Sequence, residues 1–273
     1  MEILEFLNYG FIRRALLAGS LISLICAVLG VILVLRRLSL IGDGLSHVTF
    51  GSVALAMFLN VYPLAVSVPV VAIASLGILR LTEKAGIYGD AAIGVVSSVG
   101  IACGILLASV AGGFNVDLFS YLFGSILSIS MPEVVIAVIV SGAVLAAVYI
   151  HFEEIFSITF DDEFARASGI PVTRINSIIM VLTAVTVVLA MKVVGIMLTS
   201  ALLVLPAVTA FQNARGFRNA MLIASLVSLL SLVTGIALSF ALDLPAGASI
   251  VLINFIFFCC AFLVRNLTGS RVR

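Results

Sequence analysis

Two residues in one apolar stretch carry groups that can do chemistry. Residues 38–60 read LSLIGDGLSHVTFGSVALAMFLN and hold Asp43 and His47. Their i, i+4 spacing places both side chains on one face of a helix, about one turn apart. A carboxylate beside an imidazole is half of a binding site for a transition-metal ion. Ionisable groups in a segment greasy enough for lipid are costly and mark a partner, a cavity or a transported species. Glycines at 42, 44 and 51 let a neighbouring helix or a ligand come close. Two plainer readings stand beside this one. Asp43 could cap a helix that starts near Ser39–Gly42, and His47 could be a polar residue bonded to a neighbouring helix.

The elements that must position this pair are set by composition. The 273 residues are 63% hydrophobic and 10% charged, with a mean hydropathy of +1.35. Soluble domains are nearer ~45–50% apolar and ~25% charged. The chain is therefore read as an all-α polytopic membrane protein, forming one transmembrane domain over 1–273. Its long apolar runs argue for helices and against a β-barrel. Spans of about 20 residues are predicted at 12–35, 39–60, 63–81, 91–111, 132–151, 175–191, 193–213, 219–241 and 247–264. That makes eight to nine transmembrane helices. Residues 117–131 are apolar but short for a span, and are expected to form a re-entrant or interfacial helix. The cysteines at 26, 103, 259 and 260 lack C-x-x-C spacing and read as small buried hydrophobes. Pro206 is expected to kink its span.

Basic residues set the orientation. Arg36 and Arg37, Arg80 and Lys84, Arg166 and Arg174, Arg215 and Arg218, and Arg265, Arg271 and Arg273 fall on one side if there are nine crossings. That side is the cytoplasm, which puts the N-terminus outside and the C-terminus inside. The longest polar interval, 151–174, contains a short helix on that side. Thr159 is expected to cap it. Asp161, Asp162 and Glu163 fill its first turn, Arg166 lies near its end, Gly169 suits the C′ position, and Pro171 blocks continuation. Phe160 and Phe164 are expected on one face. Such a helix could dock a soluble partner or be an ordinary solvated loop. Lys192, between two apolar runs, could line a path or mark an interface by snorkelling, and the second reading is preferred. Asp243 reads as a turn residue before Pro245 and Gly247.

Several chemistries are excluded. Lys84 and Lys192 are the chain's two lysines and neither follows a glycine, so there is no phosphate-binding G-x-x-x-x-G-K-[ST] loop. There is no H-E-x-x-H or G-x-S-x-G motif, and two histidines are too few for a His₃ zinc site. There is no basic stripe for nucleic acid. A stand-alone cation carrier or channel, or an intramembrane enzyme, remain as alternatives from other classes.

Five blocks in order carry a more specific signal: VLRRLSLIGDGLSHVTFGSVAL at 34–55, FSYLFGSIL at 119–127, DDEFARASGIPV at 161–172, MKVVGIMLTSALLVLPAVTA at 191–210 and LDLPAGASIVL at 242–252. Together they resemble the integral-membrane permeases of the ABC importers for zinc, manganese and iron(II). The resemblance implies the type II ABC importer permease fold in a prokaryotic inner membrane. It also implies a homodimer that works with a cytoplasmic ATP-binding subunit and an extracytoplasmic metal-binding protein. The 161–170 helix, with Asp161, Asp162, Glu163, Phe164, Arg166 and Gly169, would couple to the ATPase. Asp43 and His47 match a G-D-x-L-S-H block thought to contact the transported ion, and Asp243 matches the acid of a D-x-P-x-G block. The cargo would be a divalent ion, Zn²⁺ first, with Mn²⁺ or Fe²⁺ as the others, and no permanently bound cofactor is expected. Hydrolysis of ATP would belong to the partner subunit.

Overall fold

In the computed structural model, residues 9–110, 121, 122, 124 and 129–268 are described. Every regular element among them is helical. In hydrocarbon the backbone must satisfy its own hydrogen bonds, and a helix does so within one segment. The order is α1 (Gly10–Leu35), α2 (Ile41–Phe58), α3 (Pro63–Lys84), α4 (Gly89–Val110), α5 (Met131–Ile150), α6 (Phe152–Phe160), α7 (Asp162–Ala167) and α8 (Val172–Val193). A 3₁₀ turn at Ile196–Leu198 then leads into α9 (Thr199–Phe211), α10 (Phe217–Leu242) and α11 (Ala246–Thr268).

Seven of these helices, α1, α3, α4, α5, α8, α10 and α11, are long and apolar enough to cross a membrane. The expected spans two and seven are present but shorter, at 18 residues for α2 and 13 for α9. In α2 the Asp43–His47 segment and its glycines, serines and threonine dilute the apolar character. The expected continuous helix over 193–213 is interrupted because Gly195 adopts φ +91°, a backbone angle that favours glycine. The re-entrant or interfacial helix expected over 117–131 lies largely outside the described residues.

Helices α1 and α8 form the centre of the bundle, with 72% and 67% of their apolar cores buried, whereas α11 buries 22%. Around α1 pack α10, α9, α8 and α5. The cysteine expectation holds only for Cys26, which is fully buried in α1. Cys103 and Cys260 are exposed on the peripheral helices α4 and α11, where lipid accepts a thiol as readily as a core does. Pro206 lies inside α9, and a second internal proline, Pro69, lies inside α3.

The most extensive helix contact is between α2 and α4, which run side by side in the same direction. A Cβ on Gly51 would stand 2.6 Å from the Gly100 carbonyl oxygen, and one on Gly100 would stand 2.8 Å from Val48 Cα. Bare backbone on both sides is what lets the two helices touch. Gly100→Ala is therefore expected to destabilise the purified protein by about 1–3 kcal/mol. Gly142→Ala in α5, where the added methyl meets nothing within 4 Å, should leave the melting temperature of the detergent-solubilised protein unchanged.

Candidate functional site

The α2 helix starts after a left-handed turn at Arg37, with φ +59°, and its N-cap position is Leu40. Asp43 is therefore inside the first turn and caps nothing through its side chain. On either side of it, Gly42 packs against Ser200 and Leu203 of α9, and Gly44 packs against Ile93 of α4. Wedged in this way, α2 turns Asp43, His47 and Phe50 toward a cleft of about 270 Å³. Its other walls are Ile101 and Ile105 of α4, Leu122, and Ile196 and Met197 of the 3₁₀ turn.

The two chemical groups meet there. His47 Nε2 lies 3.5 Å from Asp43 Oδ2, with the side chains 29% and 54% exposed. That spacing is too long for a strong hydrogen bond, so lone pairs on both groups stay available to a third partner. The remaining polar side chains of α2 are already satisfied. Ser46 donates to the Gly42 carbonyl at 2.7 Å, Thr49 to Leu45 at 2.7 Å, and Ser52 to Thr49 at 2.7 Å and to Ser67 of α3 at 2.8 Å. Among the described residues no three His, Cys, Asp or Glu side chains converge. One chain thus supplies two N/O donors in an apolar-walled cleft, a set suited to borderline divalent ions. Asp243 is not part of it. That residue ends α10 in the left-handed conformation, φ 53°, and is exposed.

At one end of the bundle, which carries most of the arginines, the 151–174 interval folds as two helices where one was expected. Thr159 is not a cap, because it sits inside α6 and donates to the Ile155 carbonyl at 2.6 Å. Asp161, extended at φ −152° and ψ 97°, separates α6 from α7 and caps α7 by accepting from the Phe164 N–H at 2.8 Å. Phe160 and Phe164 consequently belong to different helices. Phe160 joins Phe156 and Phe217 in a ring cluster, and Phe164 projects from α7. Glu163, Arg166 and Gly169 are exposed with it. Arg166 Nε donates to Asp162 Oδ2 at 2.9 Å, and this bond raises the guanidinium pKa. Gly169 turns the chain at φ +83°, as expected for C′.

Beneath α7 lies a cavity of about 390 Å³, lined in part by Arg36, Glu83, Asp162, Arg166 and Asn176. Burial lowers the Arg36 pKa, and the fields of Asp162 and Glu83 partly offset it. Asn176 donates to Glu83 Oε1 at 2.9 Å. Asp162 of α7 and Arg36, seven residues before Asp43, thus line the same cavity.

At the other end the structure shows a polar cluster that the sequence reading missed. Lys192, expected to snorkel, instead contacts Glu133 Oε1 at 3.1 Å with its side chain 17% exposed and that of Glu133 9% exposed. The Tyr62 hydroxyl donates to the same oxygen at 2.9 Å, while Ser130 donates to Oε2 from both its N–H and its hydroxyl, each at 2.9 Å. Burial and the neighbouring carboxylate push the Tyr62 hydroxyl above the ordinary phenol range, so it keeps its proton. The Lys192 amine also sits 4.5 Å from the Tyr121 ring centroid. The available signal was the S-x-x-E spacing of Ser130 and Glu133 with Pro132 between them, a capping box.

A polytopic helical bundle with a two-donor cleft between its helices and an exposed short helix at one end fits a membrane transport permease. Comparison with known proteins makes the class specific. The ABC 3 transport family matches residues 8–265, and the chain belongs to that family. It is 31% identical to the manganese transport system membrane protein MntC of Halalkalibacterium halodurans, over 98% of this chain and 92% of that one. It is 33% identical to the high-affinity zinc uptake system membrane protein ZnuB of Haemophilus influenzae, over 63% of this chain and 66% of that one. Among solved structures it matches PsaBC from Streptococcus pneumoniae in complex with Fab, with a TM-score of 0.85 and 31% identity over 96% of this chain and 95% of that one.

Removing the Asp161 cap should loosen α7 without unfolding the bundle. Asp161→Ala is expected to speed amide exchange over 162–168 by roughly five-fold, the equivalent of about 1 kcal/mol. Thr159→Val should leave that segment unchanged, which hydrogen–deuterium exchange of the two variants would read directly.

Proposed function

We propose that this chain is the membrane-spanning subunit of an ATP-driven importer for a divalent transition-metal ion. The observation that carries the reading is the Asp43–His47 pair, 3.5 Å apart and facing a cleft between spanning helices. Family membership and relatives named for manganese and zinc transport support the cargo class. An Asp carboxylate and a neutral imidazole accept Mn²⁺, Zn²⁺ or Fe²⁺ and select strongly among none of them. Zinc, manganese and iron(II) are therefore the ions to be compared.

The exposure of Asp43 supports a homodimer. A carboxylate turned toward lipid in the first turn of a spanning helix is costly unless it is covered. A second copy set against the α2–α4 face removes that cost and brings a second Asp–His pair to the passage. Two weak donors per chain hold an ion long enough to guide it and loosely enough to release it. The arginine-rich end faces the cytoplasm by the positive-inside rule, placing the N-terminus outside and the C-terminus inside. There α7 projects Glu163, Phe164 and Arg166 toward a separate ATP-hydrolysing subunit. Movement of α7 acts on Arg36 through Asp162, and Arg36 lies in the turn from which α2 starts. A metal-binding protein outside the cell would supply the ion at the opposite end.

Asp43→Asn and His47→Ala are each expected to reduce ATP-dependent uptake at least 100-fold in the reconstituted complex. Subunit assembly and basal ATP hydrolysis should remain measurable. Competing uptake of Zn²⁺, Mn²⁺ and Fe²⁺ by the same vesicles identifies the preferred cargo. Uptake at the parent rate by both variants removes the ligand role, and uptake without any ATPase subunit favours a gradient-driven carrier.

A further inference from the structure

We propose that the Lys192–Glu133 ion pair is a positioning latch that holds the wall of the Asp43–His47 cleft shut toward the outer end of the bundle. The proposal rests on the transport reading above for its sense of outside and inside, but its geometry is independent of metal binding.

The latch joins parts of the chain that are far apart in sequence. Tyr62 precedes α3, Ser130 and Glu133 open α5, and Lys192 occupies the last turn of α8. Both oxygens of Glu133 are engaged, one by Lys192 and Tyr62 and the other by Ser130. A carboxylate held from three sides fixes the Lys192 amine in one place, and the Tyr121 ring takes its other side.

Two short arms run from this cluster to the cleft. In one, Tyr121 touches Lys192 and the next residue, Leu122, lines the cleft. In the other, Lys192 is followed by the φ +91° turn at Gly195, after which Ile196 and Met197 line the same cleft. The arms are packed on each other, since a Cβ on Gly124 would stand 2.7 Å from the Gly195 nitrogen and from the Val194 carbonyl carbon. Three of the six apolar residues that wall the cleft thus hang from the latch. Glu133 and Lys192 are also walled by Ala18 and Ile22 of α1, Leu64 of α3 and Leu189 of α8, so the pair closes an otherwise apolar gap between helices.

A buried ion pair is weak as a source of fold stability, because well-packed apolar residues often serve equally well. It is strong as a device that permits one arrangement, since separating the charges leaves each unpaired. Lys192 and Glu133 touch neither Asp43 nor His47, so they act on the passage only through Leu122, Ile196 and Met197.

The test uses the whole reconstituted complex, with the four native cysteines replaced by alanine or serine and Met197→Cys as the reporter. A membrane-impermeant maleimide is applied from the outer face and, separately, from the inner face. Lys192→Met, Glu133→Gln and the double variant are each expected to raise outer-face labelling at least ten-fold and leave inner-face labelling within two-fold. Lys192→Arg, which keeps the charge and the donor facing Glu133, should hold outer-face labelling near the parent rate. Tyr62→Phe, which removes one hydrogen bond and no charge, should raise it about three-fold and serves where the charge variants do not assemble. Unchanged outer-face labelling in the assembled Lys192→Met, Glu133→Gln or Tyr62→Phe variants, or a rise confined to the inner face, overturns the proposal. Labelling needs no metal, so loss of the latch and loss of the Asp43–His47 ligand role would be seen in different experiments.

Discussion

The close fit of α2 against its neighbours is the constraint on which the candidate site depends. Inside a bilayer no water drives helices together, so contact must come from shape and from a few polar bonds. Here Gly44, Gly51, Gly100 and Gly104 bring α2 against α4, and Gly42 brings it against α9. The result fixes the rotation of α2 about its own axis. With the glycine faces inward on both sides, the face that carries Asp43 and His47 is left facing the cleft. A helix of similar hydropathy with larger side chains at those positions would stand farther off and could turn.

The two ends of the bundle treat charge differently. At the arginine-rich end, Arg36, Glu83, Asp162 and Arg166 share a roomy cavity, where water can adjust as the groups move. At the other end, Lys192 and Glu133 are enclosed and fully partnered. The first arrangement suits a joint that transmits displacement, and the second suits a contact that is either made or broken. Asp161 contributes to the joint, because one extended residue between α6 and α7 lets α6 stay anchored on Phe217 while α7 projects.

Much of this was legible in the sequence, and the failures have physical causes. Apolar run length located the long helices to within a few residues, since a bilayer imposes that length directly. The Asp43–His47 pair was legible because its spacing is local and its chemistry is out of place in lipid. Gly169 and Pro171 marked the end of α7 by conformational rules that act on single residues. What could not be read were partnerships across the fold. Lys192 and Glu133 are 59 residues apart in the chain, and only packing brings them together. The break between the spans expected at 175–191 and 193–213 was read a few residues early, because the apolar run beyond Lys192 does not mark the turn at Gly195. The Thr159 cap failed to a competitor two residues away, as Asp161 offers a carboxylate where Thr159 offers a hydroxyl already committed to the Ile155 carbonyl.

The inward-folded hydroxyls of α2 have a mechanical side. Ser46 and Thr49 spend their hydrogen bonds on carbonyls of their own helix, and among the described residues Ser52 to Ser67 is the side-chain hydrogen bond that ties α2 to a neighbour. Polar bonds between membrane helices are worth only ~0.6 kcal/mol on average. Displacing α2 as a rigid rod therefore forfeits dispersion contacts along smooth glycine tracks but very little directional bonding. The segment that carries the chemistry is held in register by the close packing at its glycines and by very little directional bonding.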